Sequence, residues 1–450
     1  MLAPAEALAA AEQALAAARA AGADAADVVV IGEASQAVTM RMGVLEDATR
    51  SESADLGLRV FKGRGSAQVA TSDLTRAALA EAAGRAVAMA REAPEDRFAG
   101  LAPVELLARD PLPDLDLFDP RAEAMDPGQL RAMAEAADAA ARAVPGVTMS
   151  EGATAAAGVT VVALATSHGF AAVQKGSVFS VSAVAIAGTG ADRQRDHDWC
   201  DARHLADLAA AETIGQSAGS RAVARLNPAR LPTGAMPVLF DQRVAASLLG
   251  HLAAALAGPA WARGTSFLRD REGERLFRPG IRILDDPLVR RGRRSRPFDG
   301  EGLATRPTLL VADGVLGAPL CDSASARQLG RAPTGHASRG VGGAPGVSTS
   351  NLWLEAGTLS VADLMADIRL GLLVTELIGM GVNGLTGDYS RGAAGFAIRD
   401  GAIAEPVTEV TVAGNLLDMF RAMVPADDLV FRRAANSPTV RIDGMTVAGA

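Results

Sequence analysis

Imidazole, thiol and phenol chemistry is scarce in this chain: five histidines, two cysteines and one tyrosine serve 450 residues. His197, Cys200 and His204 lie together in RDHDWCDARH, with the spacing H-x2-C-x3-H. Zinc accepts such ligands, but a tight site needs a fourth partner, or an open position for catalysis. The segment reads as a polar turn ahead of a helix, which makes it a weak metal candidate. His251 sits mid-helix in SLLGHLAAALAG, with no second histidine or acid at a helical spacing from it. That pattern is ordinary for a hydrogen-bonded core residue. His336 lies in APTGHASRG, inside a glycine-rich loop over residues 330–347. Loops carry function more often than cores do, so His336 is a candidate contact for substrate or partner.

The stretch TGDYSRGAAGFAIRDGAI (386–403) holds the single tyrosine between an acid and a base. Gly387, Gly392 and Gly395 allow close backbone approach or positive φ. Asp388 and Arg391 are spaced to pair locally across Ser390, and Tyr389 offers a ring with a polar tip. Two readings stand. One is a rigid bulged turn feeding a hairpin at 396–406. The other is a fixed rim that touches a partner or an extended peptide, since strained turns cluster at sites. The chain contains no H-E-x-x-H and no G-x-S-x-G, and GRGSA lacks the lysine of a phosphate loop.

These residues need elements to hold them. An alanine-rich helix is expected over 4–21, then a buried strand at DVVVIGE (27–33) and a hairpin over 56–71 turning at Gly63–Gly65. Asp73 is placed to cap a helix running to about Ala90. Proline and acid over 91–120 predict a long surface loop, and a helix over 127–143 stops before Pro145-Gly146. The run 146–188 alternates like meander strands, turning at Ser167–Gly169, and a helix follows over 204–224. Three prolines in LNPARLPTGAMP (226–237) mark a boundary. Beyond it, Asp241 caps a helix expected to end at Gly258-Pro259. Asp313-Gly314 and Asp400-Gly401 each sit between strand-like runs as hairpin turns. Ser360 and Asp363 make a capping box, and GLLVTELIG (371–379) is a buried strand. Helices and strands come in blocks, so the fold class is α+β. Its two domains are an N-terminal mixed helix and antiparallel-sheet domain, 1–228, and a C-terminal β-rich domain with a few helices, 229–450.

Composition narrows the function. A formal net charge of -8 argues against nucleic-acid binding, which rests on neutralised phosphates. One basic knot, Arg290, Arg291, Arg293, Arg294 and Arg296, reads as a solvated loop between domains, or more sharply as an anion or partner contact. Two cysteines do not make a disulfide scaffold, and a reducing cytoplasm is the simplest compartment. Residues 152–174 lack acidic and basic side chains, yet glycines, threonines, Ser167 and His168 interrupt them, and no membrane span is expected. The N-terminus lacks the positive region of a signal peptide.

Several segments together, in order along nearly the whole chain, resemble the TldD/PmbA family in its PmbA (TldE) branch. They are LGLRVFKGRGSAQVATSDL, PFDGEG (297–302), SARQLGRAPTGHAS (325–338) and GLLVTELIGMGVNGLTGDYSRGAAGF, continuing to AM at 423. The resemblance implies a two-domain α+β subunit that pairs with a second chain. In that pair the TldD-type chain carries a helix with H-E-x-x-x-H and a later cysteine that bind zinc. The complex acts as a metallopeptidase on unfolded or short peptides. Laid on the zinc helix without gaps, residues 242–257 put Gly250 and Ala255 at the two histidines and His251 at the glutamate. No cysteine follows Cys321. The resemblance therefore implies a chain with no metal or cofactor of its own and no catalytic residue. Zinc would sit in a TldD-like partner of a heterodimer, and His251, His336, Asp388, Tyr389, Ser390 and Arg391 would face the substrate or partner. The alternatives are a non-enzymatic homodimer that captures peptides and a stand-alone hydrolase built on His197, Cys200 and His204.

Overall fold

Alanines at helical spacing and valines at period two build the first half of the chain. The computed structural model describes residues 1–449. Helix α1 (Pro4–Ala20) starts with proline in its first turn and buries Ala7, Ala11, Ala14 and Ala18, one stripe at i, i+4, i+7 and i+11. Strands β1 (Ala25–Arg41), β2 (Val44–Lys62) and β3 (Gly65–Thr71) lead to α2 (Arg76–Glu92), the short α3 (Arg121–Ala124) and α4 (Pro127–Arg142). Then come β4 (Val147–Thr166), β5 (Ala171–Ala187), β6 (Gln194–Ala202) and α5 (Ala211–Ala224). The six strands form one antiparallel sheet in the order β3-β2-β1-β4-β5-β6.

The period-two alternation decides what each face meets. Val28, Val30, Leu56, Leu58, Val161 and Ala163 bury against α1 and α2. Farther along the same face, Val38, Met40, Ala155 and Phe179 bury against α4 and α5. The intervening residues Val29 and Leu164 point to the opposite face and pack with Phe170 and with Phe298 from the second half. Small side chains let the helices approach closely. A Cβ added to Gly215 on α5 would run into the Ala137 carbonyl oxygen of α4.

The second half begins at β7 (Gly234–Phe240), followed by α6 (Gln242–Ala255) and α7 (Gly258–Arg263). Short strands β8 (Ile283–Asp286), β9 (Thr308–Ala312) and β10 (Val315–Leu316) precede α8 (Ser323–Leu329). A two-stranded ribbon, β11 (Ala337–Ser338) with β12 (Gly346–Val347), leads to β13 (Asn351–Leu354) and α9 (Val361–Met365). The chain ends through β14 (Leu370–Ile378), β15 (Asp388–Arg399), β16 (Ala402–Asn415), α10 (Leu416–Ala422), β17 (Val424–Pro425), β18 (Ala435–Asn436) and β19 (Val440–Ala448). Sheet order β16-β15-β14-β7-β19 is closed by a further pairing of β16 with β19. The largest core joins this ring to α6, through Val238, Phe240, Leu248, Leu252, Val374, Val412 and Tyr389.

Several expectations shift. Thr75, not Asp73, caps α2; Asp73 accepts the Thr75 N–H one turn earlier. Residues 204–210 are not yet α-helix, and α5 starts only at Ala211. RDHDWCDARH is mostly strand β6, paired along β5; its alternate acids Asp196 and Asp198 are buried there because Arg221, Arg225 and Arg243 pair with them. Gly258-Pro259 does not finish α6 but opens α7, since proline suits a first turn. The glycine-rich segment 330–347 is not loop throughout: Ala337–Ser338 pairs with Gly346–Val347 as the β11–β12 ribbon, and His336 and Ala337 are buried.

Candidate functional site

Helix α6 is held by its cap and its stripe. Asp241 Oδ1 accepts the Arg243 N–H at 2.9 Å, and Ala245, Leu248, Leu249 and Leu252 face the core. His251 lies beside that stripe, half-buried. Opposite it runs β15. Gly387, at φ 81°, turns the chain into this strand. At Gly395 the strand passes so close to β14 that a Cβ would run into the Leu373 carbonyl oxygen. The glycines therefore buy backbone proximity, and the strand they permit splits the Asp-Tyr-Ser-Arg cluster by alternation.

Tyr389 is 2% exposed and belongs to the core, whereas Asp388 and Ser390 face outward. Asp388 does not pair with Arg391. Its carboxylate accepts Thr386 Oγ1 at 2.6 Å and Asn415 Nδ2 at 3.2 Å, and these bonds hold its pKa below the usual carboxylate value. The Ser390 N–H donates to the Gly381 carbonyl at 2.7 Å, closing the turn over the strand. Of the two readings of this stretch, the bulged element feeding a hairpin fits: β15 carries bulges near Gly395 and Phe396 and pairs with β16, while Tyr389 is buried in the core and not on an exposed rim.

The structure does bring His251, Tyr389 and Arg391 together. The His251 and Tyr389 rings meet edge to face, centroids 6.0 Å apart. Three buried polar atoms here make no well-aligned hydrogen bond: His251 Nε2, Tyr389 Oη and Arg391 Nε, although the Arg391 guanidinium lies within reach of the Tyr389 hydroxyl. Burial lowers the His251 pKa, and the Arg391 charge lowers it further. Burial pushes the Tyr389 phenol up to about 12, against a smaller opposing pull from Arg391. At neutral pH both rings are therefore uncharged beside one cation. His251 opens on a cavity of about 240 Å³ whose other walls include Ala255, Phe267, Val382 and Met380. Met380 on its rim is 85% exposed, and near it in the chain Ile378 and Leu385 are exposed at 58% and 59%.

Zinc takes three or four nitrogen, sulfur or oxygen ligands. This cavity presents one imidazole, next to a guanidinium, and no carboxylate or thiol lines it. Among the described residues no three His, Cys, Asp or Glu side chains gather in a way that could hold a metal. The donor set does not fit the ion.

The remaining candidates lie elsewhere. His336 does not line this cavity. It is buried, with Nδ1 2.9 Å from Thr334 Oγ1 and Nε2 3.3 Å from Asp285 Oδ2. His197 and Cys200, three apart on β6, project to opposite faces. His204 Nε2 meets the Asp116 carbonyl at 2.9 Å. The basic knot is only in part a solvated loop: Arg290 and Arg294 are exposed. Arg290 and Arg291 pair with Asp116, Arg293 reaches Asp201 at 2.9 Å, and Arg296 Nη2 donates to the Ser348 carbonyl at 2.9 Å.

Sequence reasoning missed a buried charge network where the two halves meet. Arg59 Nε donates to Asp27 Oδ2 at 2.8 Å, Arg339 Nη2 stands 2.8 Å from Asp27 Oδ1, and Glu301 lies 3.9 Å from Arg59. Burial lifts the Glu301 pKa to about 7. The signal was present: Asp27 and Arg59 each stand as the lone charge within apolar strand runs, DVVVIG and LGLRVF.

Comparison with known proteins agrees with this architecture. Family models described as PmbA/TldA metallopeptidase domain 1, central domain and C-terminal domain match residues 26–90, 120–226 and 233–449. Metalloprotease PmbA of Escherichia coli O157:H7 is 36% identical over 95% of this chain and 92% of its own length. The Metalloprotease PmbA homolog of Haemophilus influenzae is 33% identical, covering 94% and 92%. TldE from Thermococcus kodakarensis, a solved structure, shares the fold with a TM-score of 0.88 at 20% identity, over 98% of this chain and 100% of that one. The chain thus belongs to the TldD/PmbA metallopeptidase family, in its PmbA (TldE) branch.

Proposed function

We propose that this chain is the zinc-free subunit of a two-chain peptidase, divided into domains at 1–228 and 229–450. A TldD-like partner would bring the zinc and the attacking water. This chain would bring one wall of the chamber that holds an unfolded or short peptide. The observation that carries the reading is the His251 cavity. At the helix position where the catalytic chain would need H-E-x-x-x-H, this chain has a lone imidazole beside Arg391 and no carboxylate to serve as base.

Two features support a partner at this wall. Met380 on the cavity rim, and Ile378 and Leu385 near it in the chain, expose apolar surface, as an interface core would. His251 Nε2, Tyr389 Oη and Arg391 Nε are buried without well-aligned hydrogen bonds, and such groups are costly unless water, a peptide or a second chain satisfies them. Asp388 and Ser390 lie on the outer face of the same strand and would meet the partner, not the cavity. His336 has no place in this contact.

No helix among the described residues is long and apolar enough to cross a membrane. With Cys200 and Cys321 unpaired, the assembly would work in the cytoplasm. The test is reconstitution. The chain alone should not cleave an unstructured peptide, and adding a TldD-like chain should produce chelator-sensitive cleavage. Arg391→Ala should cut the reconstituted rate about tenfold or weaken assembly to a similar degree. Cleavage by the pure chain alone sinks the proposal. Peptide binding by a homodimer that no partner activates would favour a capture protein.

A further inference from the structure

The sheet face opposite α1, α2, α4 and α5 meets the second half of the chain, but it does not meet it everywhere. A cavity of about 520 Å³ remains between them, a size typical of small-molecule sites. Its floor is apolar, made by Val29, Val162, Leu164 and Phe298. Its walls carry five arginines, Arg203, Arg293, Arg294, Arg296 and Arg339, against one carboxylate, Asp299.

The charges do not balance. Arg293 pairs with Asp201 at 2.9 Å, and Arg339 with Asp27 at 2.8 Å. Among the described residues Arg203, Arg294 and Arg296 have no carboxylate within ion-pair distance. Arg203 is tied to backbone carbonyls of Ser177 and Arg293. Asp299 is already committed to three backbone donors, the N–H groups of Glu301, Leu303 and Ala337. Burial pushes its pKa up, against those three backbone donors and the charge of Arg296.

Guanidinium donors are also left over. The Arg339 side chain is 1% exposed, and its Nε and Nη1 have no hydrogen-bond partner; its Nη2 contact with Asp27 is close but misaligned for one. Arg296 Nε is likewise buried and unpartnered. Burial lowers the pKa of Arg203, Arg296 and Arg339, yet a guanidinium does not give up its proton in a protein. An anion with two or more oxygens would satisfy such groups and supply the missing charge as water cannot, and the planar fork of arginine matches it.

We propose that this junction cavity binds a small organic anion: a carboxylate or phosphate carried on an apolar group, with the oxyanion on Arg294, Arg296 and Arg339 and the apolar part on the floor. The ligand would touch both halves of the chain and brace them. The inference is independent of the His251 wall and stands or falls apart from it.

Thermal unfolding and calorimetric titration of the full chain test it. The probes are N-acetylphenylalanine, its C-terminal amide, phenyl phosphate and inorganic phosphate, with chloride as the salt control. One or both aromatic anions should raise Tm saturably, and the neutral amide should not. A stronger response to the carboxylate identifies a peptide C-terminus or similar acid as the ligand source; a stronger response to phenyl phosphate identifies a phosphorylated metabolite. Arg294→Gln with Arg296→Gln should weaken that binding about tenfold or more. Should the double variant melt early without ligand, Arg294→Gln alone serves, since that side chain is exposed. The proposal fails if no anion gives a saturable shift, or if the Arg294 variants bind as the parent does.

Discussion

The His251 cavity and the junction between the halves differ in countercharge: carboxylates face the buried Arg59 and Arg339 at the junction, and among the described residues none faces Arg391. At the first, three polar atoms are buried without well-aligned hydrogen bonds, one cation stands alone, and the exposed Met380 lies on the rim. At the second, Asp27 holds Arg59 by a buried hydrogen-bonded ion pair with Glu301 close by, and of these residues only Arg339, charge-paired to Asp27, keeps donors without an aligned bond. Buried groups that are paired act as mortar, and removing one strands the other. Buried groups left unpaired mark a surface whose complement is elsewhere. The difference predicts that the junction governs stability of the single chain, while the His251 wall governs what the chain does in company.

The largest effect should come from Asp27→Ala. It leaves both Arg59 and Arg339 without their shared carboxylate, and breaking a buried pair of this kind costs about 3–5 kcal/mol. Denaturant unfolding of the chain alone measures it. A loss below about 1 kcal/mol would mean that the junction is no more than a surface ion pair, and the contrast would collapse.

Glu301 sharpens the same contrast with pH. Its folded-state pKa of about 7 stands above the ordinary 4.5. Between those values the folded chain keeps a proton that the unfolded chain releases. Its contribution is thus fully present below about pH 4.5 and is lost as pH rises toward 7. Glu301→Gln should remove this slope and stabilise the chain at pH 8 by on the order of 2–3 kcal/mol relative to the parent. Unfolding measured from pH 5 to 8 decides it; parallel parent and variant curves would place the proton elsewhere.

A histidine pair tests the contrast at a smaller scale. His336→Ala removes contacts to Thr334 and Asp285 in the interior, and should destabilise the single chain by about 1–3 kcal/mol. His251→Ala removes an imidazole whose Nε2 bonds to nothing, and should cost less in the same assay. Equal losses would show that the two sites are alike.

What the sequence displayed and what it hid follow the same physics. The asparagine- or aspartate-glycine rule found both hairpins, at Asp313-Gly314 and Asp400-Gly401, because a two-residue turn is decided locally. The α6 cap at Asp241 and the capping box of Ser360 with Asp363 were legible for the same reason. Strand β6 was not, because DHDWCDA looks polar until β5 supplies the ladder that makes it a strand. His251 and Arg391 meet across 140 residues of chain, with no local pattern to announce the contact. The resemblance pointed to both residues, but it also swept in His336, whose motif match said nothing of depth.

Tyr389→Phe should have the smallest effect on the isolated chain, and for that reason it is the most discriminating. The change removes only Oη, a buried atom with no well-aligned hydrogen bond, and keeps the ring that packs against His251 and the core. Deleting an unsatisfied polar atom relieves a cost, so the lone chain should unfold within about 0.5 kcal/mol of the parent or slightly later. If Oη is left bare for a peptide or a partner to satisfy, the same variant should reduce reconstituted peptide turnover several-fold while the melting curve stays in place. A variant that is destabilised outright would instead mean that Oη already has a partner within the chain, and the His251 wall would be mortar after all.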